Sequence, residues 1–183
     1  MNNNGITIQQ SEKVESIQQS EKRFTVNTSK GSYTTQKVLL AIGRRGTPRK
    51  LGVPGENSEK VLYKLAEEKQ FENKKVMVVG GGDSAIETAL LLSKGSEVIL
   101  SYRGESFGRV KEKNLQNITQ ASEQGNLTLL LKSNLKRIND TTVLLEQEQI
   151  EKEIENDFVF VMIGGELPTE FLGKAGIEMS ILH

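Results

Sequence analysis

Apolar residues along the chain change period several times, and each change marks an element. Val76-Met77-Val78-Val79 is continuously apolar, as in a strand covered on both faces, and it breaks into Gly80-Gly81-Gly82. Beyond the glycines, Ile86, Ala89 and Leu90 recur at i, i+3 and i+4, the spacing of an amphipathic helix that Asp83 or Ser84 is expected to cap. Lys94-Gly95-Ser96 supplies the stop, and Glu97 to Tyr102 reads as a second, parallel strand, completing a βαβ unit. Leu115, Ile118 and Ala121 predict a further amphipathic helix ending at Gly125. Leu127 to Leu131, Thr142 to Leu145 and Phe158 to Met162 predict three more strands, the last apolar on both faces and running through Ile163 into Gly164-Gly165.

The first 45 residues alternate instead. Ile6-Thr7-Ile8 and Phe24-Thr25-Val26 predict antiparallel strands, with a turn at Ser29 to Ser32 before Tyr33. Val38 to Gly43 predicts a strand buried on both faces. Arg44 to Pro48 and Leu51 to Gly55, rich in glycine and holding two of the three prolines, read as a crossing between domains. Val61 to Leu65 predicts a short helix or strand, with a helix end near Asn73.

Gly80, Gly82 and Ala85 fit the G-x-G-x-x-G/A pattern of dinucleotide-binding turns. The first glycine makes the turn, the second lets a pyrophosphate approach the backbone, and the third small residue lets helix and strand pack closely. The free N–H groups of the following helix then face the phosphates. A merely structural glycine turn is the alternative. In the dinucleotide pattern an acid near the second strand's tip selects the ribose 2′-OH of NAD, and an arginine accommodates the 2′-phosphate of NADP. Here the tip reads Ser101-Tyr102-Arg103, with Arg109 further on, which favours NADP; Glu105 is the acid that would serve NAD. Glu87, on the helix's second turn, either faces the nicotinamide end of a dinucleotide or is an exposed helix former.

Composition narrows the chemistry. The 183 residues carry 24 Lys and Arg against 24 Asp and Glu, so no net field draws the chain to nucleic acid or an anionic membrane, and neither partner is expected. No cysteine is present, which removes dithiol redox centres and thiolate metal sites, and no metal site is expected. With no signal pattern and no apolar run of membrane length, a cytoplasmic location is expected. His183, the lone histidine, is terminal and receives no role. No carboxylate pair or nucleophile elbow is visible, so cofactor chemistry rather than hydrolysis is indicated.

The run from Gly80 to Ala89, preceded by Gly52-Val53-Pro54-Gly55-Glu56 and followed by Tyr102-Arg103 to Arg109, resembles the thioredoxin-reductase-like flavoproteins. In that family an NADPH domain is inserted into an FAD domain. Ala41-Ile42-Gly43 is similar to the first crossing and Met162-Ile163-Gly164 to the second. The resemblance implies an α/β fold: a Rossmann-like NAD(P)-binding domain with a parallel sheet and an antiparallel β-meander, flanked by partial FAD-domain segments. Residues 1–49 would be an FAD-domain segment, 50–161 the NAD(P)H domain and 162–183 the return. It implies cofactor contacts at Gly80, Gly81, Gly82, Asp83, Ser84, Ala85, Glu87, Tyr102, Arg103, Arg109, Ile163 and Gly164, and no catalytic side chain.

Departures from the family refine this. The Cys-x-x-Cys of thioredoxin reductases has no counterpart between Glu56 and Lys75, so the resemblance is to the dithiol-free branch of ferredoxin-NADP-reductase-like and bacillithiol-disulfide-reductase-like proteins. Where the family often has His-Arg-Arg, Tyr102-Arg103-Gly104 stands here, one arginine fewer. The FAD fingerprint is missing. The expected cofactor is therefore NADPH or NADH, with FAD only if missing parts are supplied, and the partner is a second copy or a complementing flavoprotein segment. The implied activity is hydride transfer from NAD(P)H to flavin, with the isolated chain inactive; the alternative is a nucleotide-binding module without catalysis.

Overall fold

The computed structural model describes residues 7–41, 48–165 and 172–173. Contacts divide the chain into two compact units, residues 48–165 and the flanks.

In the flanking unit, β1 (Val14–Ser20), β2 (Arg23–Thr28) and β3 (Ser32–Thr35) form an antiparallel sheet in that order. Ile17 lies opposite Val26 in register and is buried. The turn after β2 forms at the expected residues, the Thr28 N–H donating to the Gly31 carbonyl at 2.8 Å. Two expectations need correction. Thr7-Ile8 is not in a strand and Ile8 is 71% exposed, while β1 lies further on, where Ile17 is its one buried side chain. Val38 to Ala41 forms no strand and Leu39 is 91% exposed, because an apolar run becomes a buried strand only where a sheet pairs and covers it, and none of the described strands does. Ile6, Ile42-Gly43, the crossing segment Arg44 to Thr47, and His183 lie outside the described residues.

The central unit runs β4 (Val61–Leu62), a 3-10 turn (Glu68–Phe71), β5 (Lys75–Val79), α1 (Asp83–Leu92), β6 (Glu97–Ser101), α2 (Glu112–Glu123), β7 (Thr128–Leu130), β8 (Ser133–Ile138), β9 (Thr142–Gln147), β10 (Ile150–Glu155) and β11 (Phe158–Val161). A parallel sheet of order β4-β11-β5-β6-β7 is covered on one face by the helices and on the other by the antiparallel sheet β10-β9-β8. Period-2 alternation explains the continuous apolar run. Val76 and Val78 join Ala85, Ile86, Ala89, Ile118 and Phe160 on the helix side, whereas Met77 and Val79 join Leu135, Val143, Leu145 and Val161 on the other. Each fully buried valine, leucine, isoleucine, methionine or phenylalanine among them contributes roughly 1.5–3 kcal/mol.

Two strands escaped the pattern. β8 shows an imperfect alternation with Leu135 and Ile138 buried, and β10, Ile150-Glu151-Lys152-Glu153-Ile154-Glu155, is a polar edge strand wet along nearly its whole length. On α2 the buried stripe is Asn114, Ile118 and Ala121, and Leu115, expected on it, is 38% exposed. The stretch before β5 is a two-residue strand and a 3-10 turn, with Asn73 at φ 60.

Polar contacts fix the joints. The Glu56 carboxylate accepts from the Leu51 N–H (2.6 Å), the Gly52 N–H (2.7 Å) and the Tyr63 hydroxyl (3.0 Å). Gly55 beside it is at φ +85, and a Cβ there would lie 1.9 Å from the Ile138 carbonyl oxygen, so only glycine fits. Buried Lys60 donates from Nζ to the carbonyls of Asn156 (2.9 Å), Asp140 (3.2 Å) and Thr142 (3.5 Å), tying the entry to β4 to the ends of β9 and β10. At the unit's two ends Pro48 bridges Gly165, and the Arg49 N–H donates to the Gly164 carbonyl at 3.0 Å.

Candidate functional site

Strand order reverses at β5. The chain proceeds from β5 through α1 to β6 on one side, while β11 pairs with β5 on the other. In open α/β sheets, the crevice outside the strand C-termini at such a switch point is where ligands bind. Gly80-Gly81-Gly82 lies there.

The three glycines serve different ends. Gly80 is at φ +151; a Cβ on it would meet the Met162 carbonyl oxygen at 2.4 Å and the Ala85 Cβ at 3.0 Å. It makes the turn and admits both the end of β11 and the first turn of α1, with Ala85 fully buried. At Gly81, a Cβ would meet the Tyr102 ring at 2.1–2.4 Å. Gly82 is another matter: its φ of −106 and ψ of 174 suit any residue, and a Cβ on it would meet nothing within 4 Å. Neither its backbone nor its neighbours require glycine there. The open side of Gly82 adjoins the N–H groups of Asp83 and Ser84, which have no partner among the described residues, an arrangement that accepts an anion approaching the backbone closely.

Gly82, not Asp83 or Ser84, is the N-cap of α1, and no side chain caps it. Asp83 does something else. Its Oδ1 accepts from the Lys111 backbone N–H (2.9 Å) and from Asn114 Nδ2 (2.7 Å), so its carboxylate joins the start of α2 to the start of α1. Those two bonds, the Lys111 one foremost, hold its pKa below the usual carboxylate range. Asn114 also donates to Glu87 Oε1 at 3.0 Å. Ser84 and Glu87 are exposed. Asn114 was missed by sequence reasoning; the signal was a polar residue at i−4 from Ile118 on the helix's buried stripe.

At the tip of β6, the Tyr102 ring stacks flat on Phe107 (centroids 5.3 Å apart, planes at 4°) and lies close to both Gly81 and Gly104, where a Cβ would come within 2.6 Å of it. Tyr102 thus joins the glycine turn to the loop bearing Arg103 and Arg109. Both arginines are exposed, and neither enters an ion pair among the described residues. Glu105 instead pairs with Lys132 at 3.0 Å. Ile163, half-buried, and Gly164, at φ +92, follow Met162 at the end of β11. The structure therefore brings together Gly80, Gly81, Ala85, Tyr102 and the β11 end, and leaves Arg103 and Arg109 on the loop beside them. Among the described residues no cluster of His, Asp and Glu with metal-binding geometry occurs, and no helix is long and apolar enough to cross a membrane.

The sequence pattern of the pyridine nucleotide-disulphide oxidoreductases matches residues 1–181. The chain belongs to that family. Within it, the chain is 32% identical over 159 residues to bacilliredoxin reductase Bdr of Bacillus subtilis (85% of this chain, 49% of the relative). It is 33% identical over 165 residues to a ferredoxin--NADP reductase of Thermus thermophilus (84% and 49%). Among solved structures, bacillithiol disulfide reductase Bdr (YpdA) of Staphylococcus aureus superposes with a TM-score of 0.87 at 32% identity, covering 92% of this chain and 53% of the other. The chain thus spans about half the length of these curated relatives. As a member of this thioredoxin-reductase-like family it has the expected α/β fold, a parallel five-stranded sheet with antiparallel sheets.

Proposed function

We propose that residues 48–165 bind a nicotinamide dinucleotide across the glycine turn, and that the chain is the NAD(P)H-binding part of a flavin-dependent oxidoreductase. Gly82 carries the reading: a glycine that the fold itself does not need, open on the side where a pyrophosphate would approach. The diphosphate would lie over Gly81 and Gly82 at the N-terminus of α1, the adenosine beside Tyr102 and Arg103, and the nicotinamide towards Ile163 and Gly164. NADPH is the favoured nucleotide, because Arg103 and Arg109 are exposed on the β6 loop and Glu105 is engaged by Lys132.

When bound, the nicotinamide supplies a hydride, which in this reading passes to FAD. This chain's residues hold and orient the donor. The flanks would be pieces of the FAD domain; their described strands form an antiparallel meander without a glycine turn leading into a helix, so the flavin's phosphate site would be supplied by segments other than residues 7–41. That same observation favours a second reading, a dinucleotide-binding module without catalysis. Calorimetric titration of the chain with NADP+ and NAD+ tests the shared claim, and absence of binding at millimolar nucleotide sinks both readings. NADPH oxidation with an artificial acceptor, in the presence of FAD and of a complementing FAD-domain segment, then separates them.

A further inference from the structure

The β6 tip holds a further cation that the glycine pattern does not announce. Three backbone bonds lay residues 130–133 alongside residues 102–104: Tyr102 N–H to Leu130 O (2.9 Å), Lys132 N–H to Gly104 O (3.0 Å) and Ser133 N–H to Tyr102 O (3.1 Å). Lys132 therefore sits directly across from Gly104, the residue after Arg103. Position 104 is closed to an arginine, since the Tyr102 ring would lie 2.6 Å from any Cβ there. Lys132, at the left-handed φ of +52, extends along the same edge until its Nζ is 3.0 Å from Glu105 Oε1. The side chains of that ion pair are 48% and 80% exposed, so the pair is loosely held and open to exchange.

Resting on the proposed nucleotide site, we propose that Lys132 is a further cation for the 2′-phosphate of NADP(H) beside the loop arginines, with Glu105 as its counter-ion in the nucleotide-free protein. A phosphate monoester carries nearly two negative charges at neutral pH and three acceptor oxygens, which leaves room for an ammonium group beside the exposed arginines. It makes stronger charge-assisted bonds than the solvated carboxylate it would displace. Glu105 then disfavours the 2′-phosphate twice, by holding Lys132 and by its own charge, and so sets how selective the site is.

The test uses the full chain and two ligands differing only in the 2′-phosphate, 2′,5′-ADP and 5′-AMP, titrated against wild type, Lys132→Gln, Lys132→Arg and Glu105→Gln. Lys132→Gln is expected to weaken 2′,5′-ADP about three- to tenfold and leave 5′-AMP unchanged. Lys132→Arg should retain wild-type binding of both, and Glu105→Gln should tighten 2′,5′-ADP about threefold without affecting 5′-AMP. Equal effects of Lys132→Gln on the two ligands, or none, overturn the inference. So does a loss of 5′-AMP affinity in Glu105→Gln, which would make Glu105 the acid that holds the ribose hydroxyls. Should Lys132→Gln not fold, Lys132→Met takes its place with the same expectations, and a Glu105→Gln chain that does not tighten 2′,5′-ADP overturns the inference. A wild-type chain that binds neither these ligands nor NADP+ and NAD+ removes the nucleotide site itself, whereas binding indifferent to Lys132 removes only this inference.

Discussion

Gly82→Asp should raise or preserve stability while abolishing dinucleotide binding, and the opposition of these two effects is what makes the substitution informative. The backbone at Gly82 is extended, and a Cβ there would have no atom within 4 Å. Replacing glycine where the conformation is compatible stabilises by about 0.4–1 kcal/mol through the unfolded chain. An aspartate at this N-cap adds a few tenths more by accepting from the first-turn N–H groups. Together these raise the melting temperature by about 1–4 °C for a chain of this size. The same carboxylate would face the pyrophosphate, and like charges in contact cost several kcal/mol, a hundredfold or greater loss of affinity. Gly80→Ala provides the contrast. There the Cβ would press on the Met162 carbonyl at 2.4 Å at a φ of +151, so a loss of roughly 2–3 kcal/mol is expected from overpacking and strain. Thermal denaturation and calorimetric titration with NADP+ read both quantities. Wild-type affinity in Gly82→Asp would refute the placement of the phosphates, and destabilisation equal to that of Gly80→Ala would show that Gly82 serves the turn alone.

Arg103→Ala should weaken NADP+ about tenfold and leave NAD+ unchanged, through loss of a charge-assisted bond to the 2′-phosphate; equal affinities of the wild type for the two nucleotides would remove the basis for this. Glu56→Gln should destabilise by about 1.5–3 kcal/mol at pH 7, because an amide cannot accept from both the Leu51 and Gly52 N–H groups; urea titrations measure it. Burial alone would raise the Glu56 pKa, but the Leu51, Gly52 and Tyr63 bonds outweigh it and hold it below the usual range. A lowered carboxyl pKa contributes stability above the unfolded value near 4.5 that is lost as pH falls through the folded one, so the gap between wild type and Glu56→Gln should close on acidification and stay constant above about pH 5. The purified chain should be colourless and fail to oxidise NADPH with an artificial acceptor, since its sequence has one glycine fingerprint where two dinucleotides need two and no cysteine to take electrons. Stoichiometric flavin in the absorbance spectrum would overturn that.

The strand, glycine turn, helix and second strand could be located from sequence because three signals agree there: an apolar run, glycines at fixed offsets and a 3.6-residue period. What stayed hidden had no such agreement. β10 carries charges on both faces because it is a wet edge, and β1 has only Ile17 to bury, so neither alternates visibly. Val38 to Ala41 shows the reverse error, a strong apolar signal whose outcome depends on a pairing partner that local sequence does not specify. At the site, the pattern located Gly80 to Ala85, but the roles of Asp83, Asn114 and Lys132 are tertiary. Asp83 reads as a cap, yet its partners lie 28 and 31 residues on, and Lys132 reads as a loop lysine until backbone bonds set it against Gly104.

The Pro48–Gly165 bridge has a consequence for how this unit could travel. A segment whose two ends leave side by side closes its own loop, so a host chain can receive or release it at a surface turn with little distortion of either core. Residues 48–165 have the form of a cassette, and should be expressible alone or graftable between two neighbouring strands of an unrelated scaffold with the glycine turn intact.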